Sequence, residues 1–247
     1  MIELVYPLDP APLIGPAADA SETVPVVDEN GLVIARAARE YCHSGAEIAE
    51  KSAESPENTL IGAEIAKKSA ELPENTLIGA KNPEKSAESP KYAPTGAETA
   101  QNSAEQPLLH PVVHLQIVDR YSRLFLQHRS PNKETFPNRW DVAVGGHVSY
   151  GEYYEEALFR EAGEELGLYD FNPQYLDNYI ADNPGDREMV GLYVTVGAFD
   201  LHPDNYEVSE GRYWTLEEIE AALGKDVFTP EFEAEYKEYK DKILALL

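Results

Sequence analysis

Between Gly145 and Leu168 the chain reads GGHVSYGEYYEEALFREAGEELGL, with carboxylates at Glu152, Glu155, Glu156, Glu161, Glu164 and Glu165. Carboxylates at this density either solvate a helix surface or hold a cation. A helix from Tyr153 to Leu166, closed by Gly167 and turning about 100° per residue, puts Tyr154, Ala157, Leu158, Glu161 and Glu165 on one face, with Glu164 at its edge. The apolar residues mark that face as the inward one, whereas solvated charge belongs opposite the apolar stripe. Crowded carboxylates raise one another's pKa and destabilise a fold when buried without partners. A hard divalent cation resolves this, and oxygen donors without cysteine favour magnesium, or manganese. The pattern alone leaves a second reading open, a surface helix laced by ion pairs, because glutamate is also a good helix former.

Such a helix needs strands to pack on. TVPVVDENGLVIARAARE reads as two strands, Thr23 to Val27 and Leu32 to Ala37, around Asn30-Gly31, a dipeptide that supplies the positive backbone angles of a tight turn. HPVVHLQIVD and SRLFLQHRS read as a strand pair turning near Arg120 to Ser122, and RWDVAVGGHV as a third strand ending in glycines. After the glutamate-rich helix, QYLDNYIADN and MVGLYVTVGAFDL form another pair around Pro184-Gly185. RYWTLEEIEAAL predicts a strand and then a helix with Thr215 as N-cap and Glu218 completing a capping box; a terminal helix enters through Thr229 and Pro230. Strands in hairpins with helices between and after them predict an α/β fold with a mixed sheet covered by helices.

A chain of 247 residues with 43% hydrophobic content can bury a core. Its net charge of -25 repels a phosphate backbone at long range, which argues against duplex nucleic acid as a partner. No apolar run reaches the roughly 18 residues of a membrane span, and the N-terminus lacks the pattern of a secretory signal. Cys42 is the only cysteine, so no internal disulfide forms, and a cytoplasmic setting without membrane partners is expected. Copies of a 17-residue unit start at Gly45, Gly62, Gly79 and Gly96; the first two differ only at Glu50/Lys67 and Ser55/Leu72. Each carries proline and few large apolar residues, so residues 45–106 are expected to be a disordered or weakly helical insertion. The domain reading is an N-terminal tail over 1–22, a first hairpin over 23–44, the insertion, and the main part over 107–247.

The spacing inside the opening segment is more specific than its charge. Gly146, five residues, Glu152, seven residues, and Arg160-Glu161-Ala162-Gly163-Glu164-Glu165-Leu166-Gly167-Leu168 resembles the Nudix box at every fixed position. Ala162 is small for its aliphatic position, and Gly163 costs the helix about 1 kcal/mol relative to alanine. Outside the box, VVDENGLVIARAARE, LLHPVVHLQIVD, LFLQHRSPNKETFPNRWDVAVGGHV and EVSEGRYWTLEEI are similar to segments of the Nudix branch that resembles isopentenyl-diphosphate isomerase. The resemblance implies the Nudix α/β/α sandwich and magnesium-dependent hydrolysis of a nucleoside diphosphate derivative or related organic diphosphate. It makes Glu161 and Glu165, with Glu164, the metal ligands, and Gly146 the place where backbone approaches the metal. Arg160 and Glu152 then support these ligands, through a bidentate pair. The general base is a box glutamate such as Glu164 or Glu152, or a later one, Glu207 or Glu210. Arg129 and Lys133 are candidates for phosphate contact, against a plain reading as surface charge.

Two rival functions follow from the same residues. An isopentenyl-diphosphate isomerase moves protons at an alkene, and its family uses a cysteine in the segment matching AVGGHV, where this chain has Gly145. His147 matches a metal-binding histidine of those isomerases, and His110 and His114 resemble others of that set; each also reads as a structural histidine. The other rival is a non-catalytic module that binds a diphosphate or a protein, since fold and motif do not fix activity.

Overall fold

The computed structural model describes residues 3–15, 23–43, 107–133, 135–183 and 185–247. The repeat segment 45–106 lies outside them. A small sheet is formed by β1 (Leu13–Ile14), β2 (Thr23–Val27) and β3 (Val33–Ala38) in the order β1-β3-β2. A short helix, α1 (Arg39–His43), follows. The main sheet runs β10-β5-β4-β9-β8, from β4 (His110–Val118), β5 (Leu124–Arg129), β8 (Gln174–Asn183), β9 (Asp186–Val196) and β10 (Val208–Trp214). Two short strands attach to it: β6 (Trp140–Asp141) to β5, and β7 (Val144–His147) to β4. The pairing of β4 with β9 is parallel and the other main-sheet pairings are antiparallel, so the sheet is mixed as expected.

β4 is the axis of this sheet. Its residues HPVVHLQIV are all buried, as suits a central strand covered on both faces. Val113, Leu115 and Ile117 meet Ala157, Leu158, Ala162 and Leu166 of α2 (Tyr154–Leu166) on one face. On the other, Val118 joins Leu192 and Val194 under Tyr239 and Ile243 of α4 (Pro230–Leu244). Between β10 and α4, α3 (Leu216–Ala222) seals the edge with Ile219. The result is the α/β/α sandwich. Among the described residues no helix is long and apolar enough to cross a membrane.

Local signals decided several helix ends. Thr215 and Thr229 each accept the N–H three residues on, at 3.2 Å, and Glu218 returns the bond to Thr215 N at 2.8 Å. Gly167 ends α2 at φ 63°, its N–H bonded to Gly163 O at 3.1 Å. Glu156 accepts the Tyr153 N–H at 2.9 Å and so caps α2.

Four local features differ from the sequence reading. RWDVAVGGHV is two strands, not one, because Trp140–Asp141 pairs with β5 and Val144–His147 with β4, and Val142–Ala143 makes the crossing. At Asn30-Gly31 only the glycine has positive φ; Asp28 closes the turn by accepting from Asn30 N and Leu32 N. Residues 3–15, expected as tail, contribute β1, and Leu4 and Ala11 are buried. Gly163 has a packing reason: a Cβ there would lie 2.4 Å from Tyr169 Cε1.

Tyr154 anchors the first turn of α2. Its ring lies over Gly191 of β9, where a Cβ would come within 2.7 Å, and its hydroxyl donates to Met189 O at 3.1 Å. Replacing this buried ring opens a cavity under the helix. Tyr154→Ala is therefore expected to lower the unfolding free energy by about 3–5 kcal/mol and Tyr154→Phe by about 1 kcal/mol. Urea titration measures both, and an alanine variant as stable as the parent would contradict this account of the helix.

Candidate functional site

Strand β7 and helix α2 meet at the two glycines. Gly146 pairs with Val113 on the α2 side of the sheet, and a Cβ there would stand 2.1 Å from Glu161 Cδ. Glu161 therefore occupies the space of the missing side chain. Glu165, fully buried, accepts from Gly145 N at 3.2 Å and from Gln127 Nε2 at 3.4 Å. Burial raises the pKa of Glu161, Arg160 offsets part of this, and Glu164 and Glu207 raise it further. Burial pushes Glu165 well above the usual carboxylate range, with Glu161 as the next cause; Lys133 and the Gly145 N–H offset part. Two like charges thus share one confined place.

Arg160 organises the rim. Its Nε and Nη2 donate to the two oxygens of Glu152, each at 2.9 Å, and Nη2 also donates to His147 O at 2.9 Å. Nη1 donates to Glu161 Oε1 at 2.7 Å and to Glu164 Oε2 at 3.2 Å. Glu152 raises the guanidinium pKa above its ordinary value. On Glu152, burial acts upward, but Arg160 and the Ser149 N–H outweigh it and hold the carboxyl low. The bidentate pair that the resemblance implies is present, and Arg160 faces carboxylates rather than open space. Glu164 keeps 61% of its side-chain surface, at the edge of the group.

The later loop candidates divide. Glu207 pairs with Lys133, and both charges reach the box: Glu207 acts on Glu161 and Glu165, Lys133 on Glu165. Glu210 is exposed on β10 opposite His128. Arg129 is engaged by Asp141 at 3.0 Å and by Thr135 O, again at 3.0 Å. Lys133, Glu207, Glu161, Glu165, Glu164, Arg160, Glu152 and Gly146 thus converge, whereas Arg129 and Glu210 stand apart from them.

The opposite face of β7 carries a group that the sequence reading did not assemble. His43, His110 and His147 place ligand atoms within 4.8 Å of one another, and so do His110, Asp186 and Glu188. His43 Nε2 stands 3.0 Å from His147 Nε2, and His43 Nδ1 stands 3.2 Å from Asp186 Oδ1. His110 Nε2 and Asp186 Oδ1 are buried without a hydrogen-bond partner, 3.8 Å apart. Orphaned polar atoms facing one another suit a cation between them. Burial lowers His110 to about 4 and His147 well below its ordinary value, which leaves their lone pairs available as ligands. Burial and Asp186 raise Glu188 to about 7. Three imidazoles with two carboxylates suit manganese, zinc or a similar transition metal. His43 and His147 are 104 residues apart, so no local spacing signals the group.

Comparison with known proteins points to one family. The profile of the NUDIX domain matches residues 108–232. An uncharacterized Nudix hydrolase of Listeria monocytogenes is 32% identical over 125 residues, covering 50% of this chain and 74% of the relative. An isopentenyl-diphosphate Delta-isomerase of Leifsonia xyli is 31% identical over 133 residues, covering 49% of this chain and 69% of the relative. Among solved structures, a MutT protein of Methanosarcina mazei superposes with a TM-score of 0.49 at 23% identity, over 57% of this chain and 98% of that one. With an intact box presented by an α/β/α sandwich, the chain belongs to the Nudix family, as a hydrolase acting on diphosphate bonds.

Proposed function

We propose that the protein cleaves a diphosphate bond in a nucleoside diphosphate derivative or a related organic diphosphate, using magnesium, or manganese, held by Glu161 and Glu165 with Glu164 at the rim. One observation carries this reading: two buried carboxylates with raised pKa converge at Gly146, and the nearest guanidinium is already shared among Glu152, Glu161 and Glu164. When bound, the cation neutralises the diphosphate and stabilises charge on the leaving oxygen. Arg160 fixes the direction of Glu161 and, through His147 O, the position of β7. Glu152 keeps Arg160 in place. Glu207 is better placed than Glu210 to take a proton from the attacking water, since its charge reaches both cation-holding carboxylates. Lys133 contacts phosphate only by leaving Glu207, and Arg129 only by leaving Asp141.

The isomerase-like reading is favoured by one feature, the histidine group, and opposed by another, the absence of any side chain at Gly145. We propose that the histidine group is a second cation site, on the face of β7 opposite the box. Duplex nucleic acid and membrane remain outside the proposed partners.

Three outcomes test these readings. With magnesium and a panel of nucleoside diphosphate derivatives beside isopentenyl diphosphate, the protein should release a nucleoside monophosphate. Glu165→Gln should lower that rate by about 100-fold or more; double-bond migration without hydrolysis would favour the isomerase. Without metal, a Glu165 held above its unfolded pKa favours the fold most when protonated, so that stability is present at low pH and is lost as pH rises through the folded value. Glu165→Gln should accordingly raise the Tm of the metal-free protein at neutral pH and remove most of the stabilisation that magnesium gives the parent. Manganese titration followed by electron paramagnetic resonance should count two sites, one lost in His147→Ala and the other weakened in Glu165→Gln; a single site lost only in Glu165→Gln would remove the histidine site.

A further inference from the structure

A second buried pair lies on the face of β4 that carries the histidine group, and neither cation site uses it. His114 Nδ1 stands 2.8 Å from Glu235 Oε2. The same carboxylate accepts hydrogen bonds from Gln116 Nε2 and Tyr179 OH. Glu235 comes from α4 and is 2% exposed, so three donors from β4 and β8 fix it and, through it, the orientation of the ring. Burial alone would lower the His114 pKa; Glu235 outweighs that and lifts it to about 9. The ring is then an imidazolium near neutral pH, with its Nδ1 proton committed to Glu235.

The other ring nitrogen faces Gly145. His114 is the register partner of Gly145, and a Cβ on Gly145 would stand 3.5 Å from His114 Cδ2 and 3.7 Å from Nε2. The absent side chain leaves this edge of the ring uncovered. Among the described residues, Nε2 has no hydrogen-bond partner. Gly145 is also the residue whose N–H binds Glu165, so the Nε2 proton lies across one stretch of backbone from the box carboxylates. Glu188 of β9 and Asp141 of β6 face the ring electrostatically, and Glu231 of α4 senses it in turn.

Charge makes this donor valuable. The chain carries -25 overall and takes a polyanionic substrate. The cations considered for the box or for phosphate all have carboxylate partners: Arg160 with Glu152, Lys133 with Glu207 and, farther off, Arg129 with Asp141. His114 also has such a partner, but on one nitrogen only, and its geometry leaves the second free to donate. We propose that His114, clamped by Glu235, is a substrate-binding residue whose Nε2–H donates to a non-bridging phosphate oxygen of the diphosphate beside Gly145. This rests on the diphosphate reading of the site for its ligand class, and not on the bond-breaking step.

The test uses the full chain with magnesium and methylenediphosphonate, a diphosphate analogue that cannot be hydrolysed. Nitrogen-15 spectra of the six histidines should show one Nε2 resonance that shifts on titration and is missing in His114→Gln. His114→Ala should weaken diphosphonate binding by about 10- to 100-fold, the loss expected for one charge-assisted hydrogen bond. His114→Gln, which keeps a neutral donor and nearly the same length, should lose less. Gly145→Ala makes only ordinary contacts at 3.4 Å or more, so it should fold, yet it covers the ring edge and should also weaken binding. This variant and His114→Gln carry the test if His114→Ala is unstable. A silent His114 resonance, unchanged affinity across the variants, or no binding of diphosphonate by the parent would each overturn the proposal. A parent that shifts His114 but hydrolyses no diphosphate would leave this contact standing and refute the hydrolase reading. Hydrolysis with a silent His114 would do the reverse.

Discussion

The close approach of α2 to β7 is the constraint on which the site depends. Glu161 fills the volume where a side chain at Gly146 would be, and Glu165 is fixed by the N–H of Gly145. No other residue than glycine fits at 146 without displacing a carboxylate, because the approach is well inside van der Waals contact. The packing beneath secures that distance. Ala157, Leu158, Ala162 and Leu166 seat the helix on the alternate residues of β4, and Tyr154 ties its first turn to β9. A small residue at Ala162, below the usual size for its position in the box, suits a helix held this close to the sheet.

Arg160 converts this packing into electrostatics. Five donations from one guanidinium reach Glu152, Glu161, Glu164 and the His147 carbonyl. The planar fork is matched by a bidentate acceptor in Glu152, a geometry that lysine does not reproduce. Because His147 O is one of the acceptors, the rim of the box is joined through the backbone to the strand whose other face bears the histidine group. A four-residue strand thus turns Gly146 toward glutamates, and Gly145 and His147 toward imidazoles, through nothing more than the alternation of side chains along an extended chain.

Histidines on that second face take opposite charge states for a physical reason. Burial drives His110 and His147 neutral, with the Arg39 charge and neighbouring imidazoles acting the same way, and at His110 the Leu108 carbonyl and the more distant Asp186 offset only part of it. His114, equally buried, has a carboxylate at 2.8 Å and is driven to the cation. Burial is common to all three; the partner decides the sign.

Much of this was legible in the sequence, and the reason is locality. The box spans 23 residues from Gly146 to Leu168, so one strand end, one turn and one helix place all its members, and Arg160 reaches back from the helix to Glu152 in the turn before it. Thr215, Thr229 and Gly167 announced helix ends through bonds to residues three or four away. What tertiary structure decided lies across long separations. His43 comes from before the repeat segment and meets His147; Glu235 reaches His114 from the last helix, 121 residues on. Glu207, in the loop just before β10, neighbours the box through Lys133, whereas Glu210 lies on β10 opposite His128, and the pairing of β5 with β6 brings Asp141 to Arg129. Spacing along a chain fixes what one element carries. Only the order of strands in the sheet fixes what those elements face.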